Sequence, residues 1–212
     1  NIGPNKDTND QKKDFCIGLE SFFNIADYIT INISSPNTEG LRDFHDKKKL
    51  EELLLNLNKI KKNKKTDIPL LLKVSPDIKD NHIFEITDVA KKNNISALIL
   101  TNTSNVNRKG LISKFQTEEG GLSGEPMQQI STNMIKKFYK QLNGNIPIIG
   151  VGGINSGKSA YEKIIAGASL LQLYTGLVYK GPLVVKKIKK ELIEILRSEG
   201  IKNIKDIIGK GV

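Results

Sequence analysis

Three stretches of the chain place chemically competent groups where a ligand could use them. The first runs Asn32-Ile33-Ser34-Ser35-Pro36-Asn37-Thr38-Glu39-Gly40-Leu41-Arg42. Pro36 cannot donate to a strand ladder, so it ends the extended segment. Up to that point, alternation sends Asn32 and Ser34 to one side and Ile33 and Ser35 to the other. Ser, Pro and Asn are ordinary turn formers. Amides buried at a strand end are less ordinary, because each needs a hydrogen-bond partner. Thr101-Asn102-Thr103 repeats the theme. Together Asn32, Asn37 and Asn102 offer donors and acceptors suited to a planar ligand carrying amides and a carboxylate.

The second is Lys73, inside the apolar run Leu70-Leu71-Leu72-Lys73-Val74. A lysine in a strand buried on both faces is disfavoured unless an anion partners it. Snorkelling would relieve it, but its place beside the strand's end points to a ligand role. The third is Ile149-Gly150-Val151-Gly152-Gly153-Ile154, followed by Gly167-Ala168 and then Gln172-Leu173-Tyr174-Thr175-Gly176. Two tight turns would account for the glycines alone. In this order they also suit a phosphate group, held by backbone N–H groups and a helix N-terminus.

These groups need strands and helices to position them. Five short apolar runs read as strands: Tyr28 to Ile33, Leu70 to Val74, Ala97 to Leu100, Ile146 to Val151 and Leu170 to Tyr174. Each is continuous rather than alternating, as in a parallel sheet covered on both faces. Between or after them lie helical stripes: Leu50, Leu53, Leu54, Leu57 and Ile60; Ile83, Ile86, Val89 and Ala90; Ile130, Met134, Ile135, Phe138 and Leu142; Val184, Val185, Ile188, Leu192, Ile195 and Leu196. A shorter helix is expected after Ser156-Gly157, through Ala160, Ile164 and Ile165. Residues Thr103 to Pro126 show no period and read as a lid, a binding loop or disorder, ending in Gly120-Gly121-Leu122-Ser123-Gly124.

Strand and helix alternate, so the fold class is α/β. An open doubly wound sheet would gather its functional residues at one switch point. Here a polar or glycine-rich segment follows strand after strand, which is the pattern of a (β/α)8 TIM barrel. Five runs do not close eight strands, so the expectation is that this chain supplies the last five and that the others precede Asn1.

The formal charge of +10 raises nucleic acid as a partner. The lysines of 47–65 and 186–190 sit between apolar positions as solvated helix faces, and no aromatics interleave with them. Nucleic acid is therefore not expected; an anionic membrane surface suits the charge better. Arg42 is the one arginine expected near a site. Cys16 is alone, so no disulfide forms within the chain and it reads as a packing residue of a reducing compartment. Two histidines, His45 and His82, make a metal cluster improbable. No run of about 18 apolar residues could span a bilayer.

The segments Asn32–Arg42, Leu72–Pro76, Leu100–Thr103, Gly120–Gly124 and Gly150 to Thr175 resemble, in order and spacing, those of the dihydroorotate dehydrogenases. The resemblance covers residues 1 to about 209, so 1–212 reads as one partial FMN-binding barrel domain. With Ser35 at the base position, the stretch is similar to the membrane-associated, quinone-dependent class; cytosolic relatives usually carry Cys there. The resemblance implies that Ser35 takes a proton from C5 of dihydroorotate while a hydride leaves C6 for N5 of FMN, giving orotate for pyrimidine biosynthesis. It implies that Asn32, Asn37, Asn102 and Thr103 hold the substrate, with Asn32 also near the flavin. FMN would be contacted by Asn1, Lys73, Thr101, Ser123 and Gly124, and its phosphate by Val151, Gly152, Gly153, Leu173, Tyr174 and Thr175. Electrons would pass to a quinone, with the protein peripheral on an inner membrane, bacterial or mitochondrial, through a region preceding Asn1.

Pro4 departs from the family, where many members have lysine. Two other readings compete: a phosphate-binding barrel enzyme without flavin, and a non-catalytic fragment whose open barrel edges are adhesive.

Overall fold

The computed structural model describes residues 1–106, 108 and 110–212. Five strands form one parallel sheet, β1 (Ile29–Asn32), β2 (Leu70–Val74), β3 (Ala97–Leu100), β4 (Ile148–Val151) and β5 (Ala168–Gln172), adjacent in the order of the chain. Spatial order equals sequence order, so no point of reversal exists. That is the arc of a (β/α) barrel and not a doubly wound sheet. Ile2 continues the arc beyond β1: its N–H donates to Thr30 O at 2.8 Å, and Asn32 N–H donates to Ile2 O at 3.0 Å.

Successive strand residues face opposite sides of the sheet. The outer set, including Ile29, Ile31, Ile33, Leu70, Leu72, Val74, Leu98, Leu100 and Ile148, packs under the helices in the main core. The inner set forms a separate small cluster of Leu71, Ala97, Ile99 and Ile149. At β5 this inner face opens, and Leu170 is 62 % exposed.

The helices are α1 (Gln11–Phe22), α2 (Lys47–Lys64), α3 (Asp80–Lys92), α4 (Gln128–Leu142), α5 (Gly157–Ile165), α6 (Thr175–Lys180) and α7 (Val184–Ser198). The expected stripes of α2, α3 and α4 are the buried ones, apart from the partly exposed Ile60 and Ile130. In α7 only Val184 and Ile188 are buried, while Val185 and Ile193 are exposed. Asp46 caps α2 by accepting from Lys48 N–H and Lys49 N–H.

Two helices lie outside the expected set. In α1 only Phe15 and Leu19 are buried, one contact per turn, with Gly18 giving room to Ile2. In α6 no residue is buried. Strand β5 begins at Ala168, two residues before the expected Leu170, because Gly167 turns at φ +118° and starts the strand at once. Strands β1 and β4 are shorter than the expected Tyr28 to Ile33 and Ile146 to Val151, and β5 ends at Gln172 instead of Tyr174. The segment after β3 contains no strand or long helix among its described residues. It is pinned by an antiparallel bridge between Ser104 and Leu122, and a 3-10 turn over Glu125–Met127 ends it.

Candidate functional site

Parallel strands in an arc converge at their C-terminal ends, and there a cleft of about 810 Å³ opens. Of the residues singled out in the sequence, Lys73, Thr101, Asn102, Thr103, Ser123, Gly124, Val151, Gly152, Gly153, Leu173, Tyr174 and Thr175 line it. Asn1, Asn32, Ser35 and Asn37 do not. Asn1 is exposed beside the Ile2 bridge. Asn37 faces a second, polar depression of about 800 Å³, which shares Arg108 and residues Glu118 to Gly120 with the cleft. The segment after β3 thus stands between the two openings.

Around β1 and β3 the amides and hydroxyls bind one another. Ser34 is fully buried, and its Oγ donates to Asn32 Oδ1 at 2.8 Å. Asn102 Nδ2 donates to Ser34 Oγ at 2.9 Å, and Asn102 Oδ1 accepts from Thr103 N–H at 2.8 Å. Asn32 and Asn102 are thereby joined through Ser34, although 70 residues separate them in sequence. Ser35 is half-buried, and its Oγ accepts the Asn37 N–H at 3.2 Å. That donor favours a negatively charged oxygen at Ser35, which an isolated serine would disfavour.

Along β2, β3 and β4 the polar groups lack such partners. Among the described residues Lys73 has neither a hydrogen bond nor an ion pair, and burial alone pushes its ammonium pKa down. Thr101 follows a cis Leu100–Thr101 peptide. Its Oγ1 is buried with no hydrogen-bond partner among the described residues. In the Gly152–Gly153 turn φ is +117° and +74°, a region that glycine enters without strain. The close approach also demands glycine: a Cβ at Gly153 would stand 2.6 Å from Gln128 Cα. Neither glycine N–H donates to a loop or turn carbonyl among the described residues.

The helix after this turn is not free to bind an anion. Ser156 and Ser159 form a capping box at the start of α5, and Gly157 N–H donates to Glu191 Oε2 at 2.6 Å. The donors left facing the cleft are those of the turn itself and of Thr175–Gly176. Thr175 Oγ1 donates to Ser123 Oγ at 2.9 Å, tying the glycine-rich end of the long segment to the end of β5.

Several contributors had no signal in the sequence. Ser131 on α4 donates from Oγ to Val151 O at 2.5 Å and holds β4 where the turn begins. Arg108 lines the cleft and donates to Gln116 O and Gly120 O, so Arg42 is not the only arginine near the site. Arg42 instead pairs with Asp77 at 3.0 Å, and Asp77 also accepts from Ser104 Oγ and Asn105 N–H. Beneath that clasp His45 Nδ1 lies 2.7 Å from Arg42 O, and its Nε2 accepts the Ser75 N–H. Burial pushes the His45 imidazole down to about 4. Partners 35 and 27 residues apart cannot be paired from spacing alone.

The family model of dihydroorotate dehydrogenase matches residues 1–196. A protein of Bartonella tribocorum named dihydroorotate dehydrogenase (quinone) is 43 % identical over 211 residues, which span 97 % of this chain and 58 % of that protein. The mitochondrial enzyme of the same name from Arabidopsis thaliana is 40 % identical, with 99 % of this chain and 46 % of that protein covered. Among solved structures, that of DHODH from Eimeria tenella in complex with ferulenol superimposes with a TM-score of 0.93 at 36 % identity, over 98 % of this chain and 60 % of that one. The chain therefore spans about half to three-fifths of the length of these relatives.

Proposed function

The chain belongs to the dihydroorotate dehydrogenase family, and from that premise we propose that its cleft holds FMN and serves the oxidation of dihydroorotate to orotate. The observation that carries this reading is an unpartnered set along one wall of the cleft: the Lys73 ammonium, the buried Thr101 hydroxyl and the Gly152–Gly153 turn. Buried polar groups in folded proteins find partners. A ligand with a polar ring edge at one end and a phosphate at the other supplies them all.

Lys73, Thr101, Ser123 and Gly124 would hold the ring system of FMN, and Val151, Gly152, Gly153, Leu173, Tyr174 and Thr175 its phosphate. When bound, FMN supplies the acceptor for the hydride that dihydroorotate gives up. Lys73 would place its positive charge against the ring edge, where negative charge gathers on reduction. Asn32, Asn102 and Thr103, with Asn37 across the long segment, would orient the substrate's carboxylate and ring amides. Ser35 would accept the C5 proton, its Oγ prepared by the Asn37 N–H. Asn1 would border the flavin from the side of the Ile2 bridge.

Both relatives described above carry the word quinone in their names, and we propose a quinone as final acceptor, reached at the surface of an inner membrane. The net charge of +10 suits an anionic lipid surface, and among the described residues no helix is long and apolar enough to cross a membrane. The test is to purify the full-length protein and record its visible spectrum, then add dihydroorotate and a quinone analogue. A yellow protein that bleaches with dihydroorotate and is reoxidised by the quinone is expected. A colourless protein that binds a phosphate-bearing ligand without flavin would replace this reading with that of a flavin-free barrel enzyme.

A further inference from the structure

Behind the Gly152–Gly153 turn lies a charge that the reading above does not use. Lys163, on α5, is fully buried. Its Nζ donates to Gln128 O and to Thr132 Oγ1, each at 2.7 Å, and both acceptors are neutral. The adjacent carboxylate, Glu162, is turned instead to Gln128 Nε2 at 2.7 Å. An ammonium buried among neutral oxygens is hydrogen-bonded but not neutralised. Its position makes matters worse, since Gln128 begins α4 and the positive end of that helix dipole adds to the same potential.

Gln128 is also the floor of the turn. A Cβ at Gly153 would stand 2.6 Å from Gln128 Cα and 2.7 Å from its N, and one at Gly152 would stand 3.1 Å from Ser131 Cβ. The ammonium, the first turn of α4 and the glycine turn are therefore stacked in that order, one residue thick at the middle. An anion held by the turn would meet this charge, which Glu162 offsets only in part, through a single backbone layer.

We propose that Lys163 is the buried countercharge of the anion site at the Gly152–Gly153 turn, seating the start of α4 beneath the turn and selecting a phosphate-bearing ligand. It is a positioning residue, acting through Gln128, and the inference rests on the reading of that turn as a phosphate receptor. A purely mechanical tie between α4 and α5 would not need a charge. Burial holds the ammonium down to about 7, with Glu162 opposing. The other neighbours do not supply the missing charge. Among the described contacts α4 presents neutral Gln128 and Thr132, and β5 contains no charged residue. Glu191 of α7 is taken by Gly157 N–H, Tyr161 binds Glu199, and Glu125 accepts from Asn155 Nδ2.

The experiment compares FMN with riboflavin, which lacks the phosphate, by flavin fluorescence on the protein stripped of flavin. The unmodified protein should bind FMN more tightly than riboflavin. Lys163→Met should weaken FMN by about tenfold and leave riboflavin unchanged. Equal losses for both ligands, or none for FMN, would overturn the countercharge role while leaving the receptor reading intact. An unmodified protein that does not distinguish the two ligands would remove the receptor reading itself, and the proposal with it. Should Lys163→Met not fold, the unmodified protein decides. The Lys163 pKa, followed by carbon NMR of labelled lysine side chains, should be higher with FMN bound than with riboflavin bound. The same value in both would overturn the proposal.

Discussion

Two halves of the strand-end face are built on opposite principles. Around β1 and β3, Asn32, Ser34, Asn102 and Thr103 are joined in a hydrogen-bonded chain before any ligand arrives. Along β2 to β4, the Lys73 ammonium, the Thr101 hydroxyl and the glycine turn are left unpartnered among the described residues. A self-satisfied network fixes its members in place, while an unsatisfied one is tolerated only where binding completes it. The first half is suited to holding reacting groups in register. The second is suited to gaining affinity from a cofactor. Ser35 belongs to the first half and Lys73 to the second, so loss of each should separate chemistry from binding.

The largest effect is expected at Ser35. Ser35→Ala removes the proposed base and should lower kcat for dihydroorotate oxidation by about 10²–10⁴-fold, with flavin content unchanged after purification. Retained turnover would show that another group takes the proton. A flavin-free variant would erase the distinction between the two halves.

The loops that follow β1 and β2 hold a further satisfied group, His45, and this gives them a pH signature. Burial pushes the His45 imidazole from 6.5 down to about 4, with the Arg42 carbonyl opposing and the Arg42 charge lowering it further. The unfolded chain then binds a proton that the folded chain refuses between those values, so stability falls as pH drops from about 6.5 towards 4 and is fully present above 6.5. The contribution at neutral pH is about 3 kcal/mol. Urea midpoints measured from pH 7.5 down to 4.5 should show it, and His45→Gln should flatten that part of the slope. An equal slope in the variant would assign the acid sensitivity to carboxylates instead.

How much of this was legible in the sequence follows from how local each signal is. The strands showed because a parallel strand covered on both faces has no polar alternation to hide it, as in Leu70 to Val74 and Ala97 to Leu100. Helix α4 showed because Met134, Ile135, Phe138 and Leu142 are buried at helical spacing. Helix α1 did not, since only Phe15 and Leu19 are buried and Gly18 interrupts the pattern. In the site, the glycine turn and Lys73 stood out because their residue types contradict their surroundings. Ser34, Ser131 and Lys163 have ordinary types in ordinary places, and their roles come from partners 68, 20 and 35 residues away. Lys163 in particular reads as a solvated helix residue until α4 is laid over it. The split between Asn37 and the cleft likewise depends on where the segment after β3 lies, which no local pattern encodes.

On the unpartnered side, Lys73→Met should weaken FMN by about tenfold or more while raising the thermal midpoint of the flavin-free protein. The two signs are opposite because the ammonium is disfavoured when buried alone and favoured once a polar ring edge meets it. A variant that loses flavin-free stability would show that Lys73 has a protein partner after all. Riboflavin should lose as much as FMN, in contrast to Lys163→Met, since Lys73 would serve the ring and not the phosphate.

The smallest and sharpest test is Thr101. Among the described residues its Oγ1 is buried without a partner, whereas its N–H donates to Val151 O at 3.1 Å. Valine has nearly the same shape, so Thr101→Val removes the hydroxyl and leaves the backbone contact. A buried hydroxyl with no partner destabilises the fold by the desolvation it suffers, so the flavin-free variant should be more stable by about 1 kcal/mol in urea unfolding. If the hydroxyl is kept for the ligand, the same variant should bind FMN several-fold more weakly, roughly the worth of one neutral hydrogen bond. Stability and affinity then move in opposite directions at a single atom. A protein that gains stability with no loss of affinity would leave the hydroxyl unexplained. One that loses both would mean that Oγ1 finds a partner in the flavin-free state, and the contrast between the two halves would no longer hold at this residue.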